Sequence, residues 1–441
     1  MEQKLLLLSN GHGEDTIAAN ILKQLLNHSH NLNCAALPIV GEGYAYRQLG
    51  VDIACRVQKM PSGGFVYMDN QQLWRDLQGG LLPLTLSQIE VVRQWGKSGG
   101  KILAVGDIVP LLFAWLSGAD YAFVGTAKSE YHLRDEQGWL STTHPIEQIS
   151  GSIYLPWERF LMRSSRCRGV FPRDTLTAKI LKKFAIPVFD LGNPMMDGIA
   201  LPSNSHFAVA DSSLTPTATS VSPAVSDKRT EQLGNCQNLT TLLLPGSRLP
   251  EAAENWQIIL DAIASMIHNF SATKLLFLAA IAPALPLDPF QKQLFAQGWQ
   301  SCPIKSLNLT ISTDQALAYI NHGATLILAP KAYADCLQAA DVAIAMAGTA
   351  TEQFVGLGKP AISIPGAGPQ FTEVFAEAQT RLLGCSIQLV KQPASVANAI
   401  QTLLDDPLNL EKIYENGIRR MGKSGAAERI ADCIEKELIH P

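Results

Sequence analysis

Short runs of Leu, Ile, Val and Ala alternate with longer amphipathic stretches along most of this chain, and the alternation stops between residues 201 and 238. A run that is apolar at every position reads as a strand covered on both faces, which parallel sheets built from βα units require. In the first half the runs fall at 4–8, 102–105, 121–124, 169–171 and 188–191, with a helix over 15–27. In the second half they fall at 239–244, 274–279, 325–328, 342–345 and 361–364, with helices near 252–267, 332–339 and 351–356. Three more helical stretches, 394–404, 408–421 and 426–438, follow. The interruption is rich in Ser, Thr, Pro and Ala and has no period that builds a core, so it reads as a linker. At 441 residues the chain exceeds what one core usually supports. The expectation is α/β, with two doubly wound Rossmann-like domains at 1–200 and 239–425, a linker or insertion at 201–238 and a terminal helix at 426–441.

Composition removes several functional classes. A net charge of −4 gives no basic field for a nucleic-acid backbone. The eight cysteines include no CxxC pair, so neither a zinc ribbon nor a disulfide framework is indicated, and they read as free thiols in a reducing, cytoplasmic setting. Residues 275–287 are apolar but interrupted by Pro283 and Pro286, too short to span a bilayer. The segment 60–90 mixes aromatics and leucines with glycines; it reads either as a peripheral membrane contact or as an ordinary buried loop and helix.

Ligands of open α/β sheets bind at the carboxyl ends of the strands. The segment Ala347-Gly348-Thr349-Ala350-Thr351-Glu352 follows one such strand and opens a helix, whose free N–H groups suit a diphosphate. Glu352 is placed for a ribose diol. Thr349 and Glu352 also have the spacing of a capping box, which would tie off the helix without a ligand. A second strand end, Pro245-Gly246-Ser247-Arg248, sets a guanidinium two residues past a glycine, suited to phosphate oxygens or to pairing with Glu251 or Glu254. In the first half, Asn10-Gly11-His12-Gly13-Glu14-Asp15 groups titratable side chains where an acceptor hydroxyl can be deprotonated, or simply caps a helix. Asp107, after Gly106, is a candidate general base if burial raises its pKa, and equally a cap for a helix begun at Pro110. The turns at 171–174 and 191–197 are strand-end turns of either structural or site-lining use.

Together these loops resemble GT-B glycosyltransferases, and more closely the lipid-A-disaccharide synthase family. The most specific pieces are Leu244-Pro245-Gly246-Ser247-Arg248-x-x-Glu251 and Ala347-Gly348-Thr349-Ala350-Thr351-Glu352; weaker ones are Gly106-Asp107 and Gly192-Asn193-Pro194-Met195-Met196-Asp197. The resemblance implies two Rossmann-like domains facing a cleft, with the last helix crossing back to the first. It implies inverting, metal-independent transfer of an N-acetylglucosamine-type or hexose sugar from a UDP-sugar to a lipid or polyprenyl-type acceptor, with no cofactor. Gly246, Ser247, Arg248, Gly348 and Thr349 would hold the diphosphate, Glu352 the ribose and Gln370 the donor sugar, with Asp107, His12 and Glu14 on the acceptor side. The opening loop departs from the synthase pattern, and Asn193 stands where that family has histidine. Two other readings stay open: a UDP-sugar epimerase on the same fold, and a non-catalytic nucleotide-sugar-binding protein.

Overall fold

The computed structural model describes residues 3–28, 31–55, 81–199, 238–304 and 315–440. Residues 201–237 of the expected linker and 60–80 of the apolar segment lie outside them. The chain divides into two compact units, Met1–Asp197 with Lys423–Pro441, and Gly198–Gly422.

The first unit is built on six parallel strands, β1 Gln3–Ser9, β2 Leu32–Pro38, β3 Asp52–Ile53, β4 Lys101–Gly106, β5 Tyr121–Gly125 and β6 Cys167–Pro172, in the order β3-β2-β1-β4-β5-β6. Leu5, Leu6, Leu7 and Leu8 are all fully buried, yet they serve two cores. Leu5 and Leu7 pack with Leu103 and Val105 on one face, and Leu6 and Leu8 with Ile102 and Ala104 on the other. This is the period of two that a strand covered on both faces imposes on a uniform leucine run. The chain reverses its direction of growth across the sheet between β1 and β4, so the turns after these strands lie at the topological switch point.

Residues 188–191, expected as a strand, form only an isolated bridge between Val188 and Val170. Pro187 contributes its carbonyl to Val170 N, at 2.8 Å, but has no N–H with which to extend a ladder. The first helix begins at His12 rather than at Asp15. Helix Leu81–Lys97, which starts in the 60–90 segment and runs beyond it, sets Val92 in the core with Ile89 and Trp95 packed against it.

Helix Ala426–Ile434 and the turn Glu435–Ile439 belong to this first unit, and Ala427, Ile430, Ala431, Ile434 and Leu438 enter its core. Asp197 fastens them. Its carboxylate accepts hydrogen bonds from Gly425 N (2.6 Å), Ala426 N (3.1 Å) and Ala427 N (2.5 Å), capping the helix with a full negative charge. Of the two uses left open for the 191–197 turn, this is the structural one. Asp197→Ala is expected to lower the unfolding free energy by about 2 kcal/mol, read as a lower denaturant midpoint. An unchanged midpoint would remove the cap from the list of stabilising contacts.

The second unit carries eight strands, β7 Asn238–Leu244, β8 Lys274–Ile281, β9 Gln300–Cys302, β10 Leu317–Asn321, β11 Ala324–Pro330, β12 Val342–Ala345, β13 Ala361–Ser363 and β14 Ile387–Leu389, in the order β14-β13-β12-β7-β8-β11-β10-β9. All pairings are parallel except those of β10 with β9 and β11. The β10–β11 hairpin turns on His322 and Gly323, both at positive φ (45° and 81°), as a two-residue primed turn requires. Helix Glu251–Asn269 covers one face through Trp256, Ile259, Leu260 and Ile263. The Gly-Lys-Pro break has a mechanical explanation. Buried Lys359 donates to the carbonyls of Leu337 (2.9 Å), Gln338 (2.5 Å) and Ala340 (2.6 Å), closing the carboxyl end of helix Tyr333–Ala339 where a cation complements the helix dipole.

Candidate functional site

In the second unit three candidate loops leave neighbouring strands. Ala345 of β12 is in register with Leu244 of β7 on one side and Ser363 of β13 on the other, so the turns at 245–248, 346–349 and 364–371 emerge side by side at the switch point. Gly246 sits at φ +109°, a conformation that favours glycine. Asn255, from the first helix, steadies this turn by donating to Pro245 O at 3.0 Å. Ser247 and Arg248 are exposed beyond it.

Helix Thr349–Gly356 bears on one of the two uses posed by its sequence. Its N-cap is Gly348, which supplies no side-chain cap, so Thr349 is already inside the helix and a Thr349–Glu352 capping box is not formed. The first N–H groups of the helix are therefore presented without a capping side chain. Gln379 holds the turn from behind, its amide donating to Ala347 O (3.2 Å) and Gly348 O (3.1 Å). Close packing also fixes Gly348, where a Cβ would lie 3.3 Å from the Phe375 ring. Glu352 lies one turn in, half-buried, and its charge together with burial raises the pKa of the Tyr333 phenol.

Glu251 has a use that the sequence reading missed. It is buried, and its Oε1 accepts from Gln370 N (3.0 Å) and Phe371 N (2.7 Å). Gly366 N also donates to Phe371 O at 2.9 Å. Exposed Gln370 thus projects from a loop tied to the helix that follows Arg248. Gly368 makes room for the tie, since a Cβ there would come within 2.5 Å of Glu251 Cγ. The signal in the sequence was the glutamate that closes Pro-Gly-Ser-Arg-x-x-Glu, but its partner lies about 120 positions away.

In the first unit the loops after β1 and β4 bring carboxyl groups to the switch point. Asp107 caps helix Ile108–Leu116, accepting from Val109 N at 2.8 Å, so the helix starts two residues before Pro110. Burial raises its pKa, against the bonds from Val109 and the Asn10 side chain, which lower it. The cap and the raised carboxyl are one arrangement. Gly106 is required beneath it, at φ +136° and with a Cβ position only 2.2 Å from Asn10 Oδ1. Glu14 accepts from Thr126 Oγ1 at 3.3 Å. The His12 side chain lies outside the described residues.

Asp15 belongs to the titratable group of the opening loop but is not among the residues assigned to the acceptor side. It is 2% exposed, accepts from Ser9 Oγ at 2.6 Å, and that hydroxyl also bonds Tyr46 OH at 2.6 Å. Burial, assisted by the charge of Glu14, pushes its pKa up to about 6. Asp15 and Asp107 therefore bring carboxyls with raised pKa values to one end of this sheet. No group of three or more His, Cys, Asp or Glu residues suited to a metal ion occurs among the described residues.

No family model matches the sequence, and no curated protein does. Solved structures do match. The S. aureus MnaA–UDP structure is 14% identical, covers 99% of this chain and 97% of its own, and superposes with a TM-score of 0.52. The UDP-GlcNAc 2-epimerase from Neisseria meningitidis, bound to UDP-GlcNAc, is 14% identical over 98% of this chain and 100% of that one, with a TM-score of 0.50. MurG from Acinetobacter baumannii is 14% identical over 98% and 99%, with a TM-score of 0.52. Their likeness to this chain defines its class, a two-domain α/β protein of the GT-B fold. Within that class these neighbours are a 2-epimerase, MnaA and MurG, where the sequence motifs had pointed to lipid-A-disaccharide synthase.

Proposed function

We propose that this protein is an enzyme acting on a UDP-sugar of the N-acetylglucosamine type, and that it epimerises the sugar. The observation that carries nucleotide binding is the uncapped start of helix Thr349–Gly356 beside the Gly246–Arg248 turn. In this reading Gly348 and Thr349 offer backbone N–H groups to the diphosphate, Gly246, Ser247 and Arg248 flank it, Glu352 takes the ribose diol and Gln370 the sugar hydroxyls. Moving a proton off a sugar carbon and returning it to the opposite face needs a base and an acid, and Asp15 and Asp107, with Glu14 and His12 beside them in sequence, are the candidates. The solved 2-epimerase bound to UDP-GlcNAc supports epimerisation.

Transfer to an acceptor hydroxyl is the second reading, supported by the likeness to MurG. It keeps the same donor residues and makes Asp107 the base for the acceptor. A lipid or polyprenyl-type acceptor, and a membrane contact through residues 60–90, belong to this reading alone. No helix among the described residues is long and apolar enough to cross a membrane.

Incubation with UDP-N-acetylglucosamine and no acceptor, followed by proton NMR, separates the two. The C2 epimer is the expected product. UDP release that appears only on adding an acceptor, with no epimer, would reverse the order of the two readings. Arg248→Ala is expected to weaken UDP binding about 10- to 100-fold by calorimetry, since charge-assisted bonds to phosphate are lost. Unchanged affinity for UDP would end the assignment of this turn to the nucleotide.

A further inference from the structure

We propose that the first unit carries a second binding pocket, separate from the strand-end loops above, for an anionic group joined to an apolar body. The pocket encloses about 700 Å³ between Trp115, Pro156, Arg159, Phe160, Arg163 and Phe184, with the Ser164 and Ser165 turn at its side. Trp115 ends the helix that follows β4, Ser164 and Ser165 precede β6, and Phe184 follows helix Thr175–Lys182. These positions lie toward the amino ends of the strands, whereas Asp107 and Glu14 follow their carboxyl ends.

Arg159 is the reason to expect an anion. It lines the pocket, is 8% exposed, and its Nη1 is buried without a hydrogen-bond partner. Its guanidinium lies 3.9 Å from the centre of the Phe184 ring. The two carboxylates whose charge acts on Arg159, Glu130 and Glu158, give it no hydrogen bond at Nη1, and each is paired with another cation. Glu130 pairs with Arg134 at 2.8 Å and accepts from Ser152 Oγ and Ile153 N, and Glu158 pairs with Lys128 at 2.6 Å and accepts from Leu155 N. A buried guanidinium with an unused N–H is costly, and an anion in the pocket would offset that cost. Exposed Arg163 adds a second cation at the wall. The apolar half comes from the aromatic walls and their rim. Trp115 and Phe160 lie 6.3 Å apart, Phe160 is 65% exposed, and Trp157 and Leu112 are exposed on the same two helices. A phosphate or carboxylate on an alkyl or prenyl chain matches both halves, either as a free amphiphile or as a lipid in a bilayer.

The test is calorimetric titration of the full-length protein with n-dodecyl phosphate below its micellar concentration, alongside inorganic phosphate. Dodecyl phosphate is expected to bind, and Arg159→Met, Arg163→Ser and Phe160→Ser each to weaken it about tenfold or more. Arg159 is buried, so Arg163→Ser and Phe160→Ser keep the test decisive if Arg159→Met does not fold. UDP binding by the second unit is expected to be unchanged in both. Flotation with phosphatidylglycerol vesicles, lost in Arg163→Ser, would assign the ligand to a bilayer; dodecyl phosphate binding without flotation would assign it to a free amphiphile. The proposal is overturned if dodecyl phosphate does not bind, if the surface variants leave its affinity unchanged, or if inorganic phosphate binds equally well.

Discussion

Asp107→Asn is expected to reduce turnover of the UDP-sugar by about 10²- to 10⁴-fold while leaving the protein at least as stable as before. The two halves of that expectation rest on different properties of one side chain. As a cap, Asp107 accepts from Val109 N, with the Asn10 side chain as a second donor, and asparagine keeps an acceptor oxygen and caps helices about as well as aspartate. As an acid or base it needs a proton that can be gained and lost, which an amide cannot supply. Burial raises this carboxyl toward the working range, so the wild-type rate should show a limb above the usual carboxylate pH that vanishes in the variant. Arg248 belongs to the other unit, so UDP affinity serves as the internal control. A variant with unchanged turnover, still folded and still binding UDP, would leave Asp107 as a cap and nothing more.

The second large effect is on stability. Asp15→Asn should raise the unfolding free energy at pH 7.5, by at most about 3 kcal/mol. The sign follows from linkage. Its carboxyl has a pKa of about 6 in the folded chain against a reference value of 3.8, so between those values the folded state holds more protons than the unfolded one. Stability then falls as pH rises through that interval, and the full penalty is present above pH 6. Asparagine removes the titration yet keeps an oxygen to accept from Ser9 Oγ, whose bond to Asp15 is 2.6 Å long. Urea unfolding at pH 4.5 and 7.5 reads the difference: the wild type should be more sensitive to the change than the variant. Equal pH sensitivity in the two would remove Asp15 as the source. Should the variant be both more stable and less active, the buried carboxyl is a group kept for chemistry at the expense of the fold.

The sheets were legible because both faces of each central strand are buried, so residues such as Leu5–Leu8 and Leu242–Leu244 had to be apolar throughout. Strand β2 escaped notice because its outer end is polar and its inner end is alanine-rich, Leu32-Asn33-Cys34-Ala35-Ala36, and small side chains under a covering helix make no visible run. Strands β3, β9 and β14 are two or three residues long and stand at sheet edges, too short for any period to register. Among the candidate site residues, the shapes of the glycine-bearing turns at 246 and 348 were readable because backbone shape is encoded locally. Glu251 was not, since its hydrogen bonds to Gln370 and Phe371 depend on a sheet that brings β13 near β7 through β12. In the sequence Asp15 reads either as part of a titratable cluster with His12 and Glu14 or as a helix cap, and beginning the helix at His12 buries that side chain behind Ser9, whose hydroxyl also bonds Tyr46.

The return of residues 423–440 to the first unit has a consequence for the order in which this chain acquires structure. Chains emerge from the ribosome amino end first, and domains ordinarily fold in that sequence. Here the first unit lacks Ile430, Ile434 and Leu438 of its core, and the helix that Asp197 caps, until the whole of the second unit has been made. The second unit is one continuous stretch, Gly198–Gly422, and has every residue it needs earlier. The half made second is thus free to fold before residues 423–440 are made, while the half made first waits for them with Leu5, Leu7 and Ile21 incompletely covered.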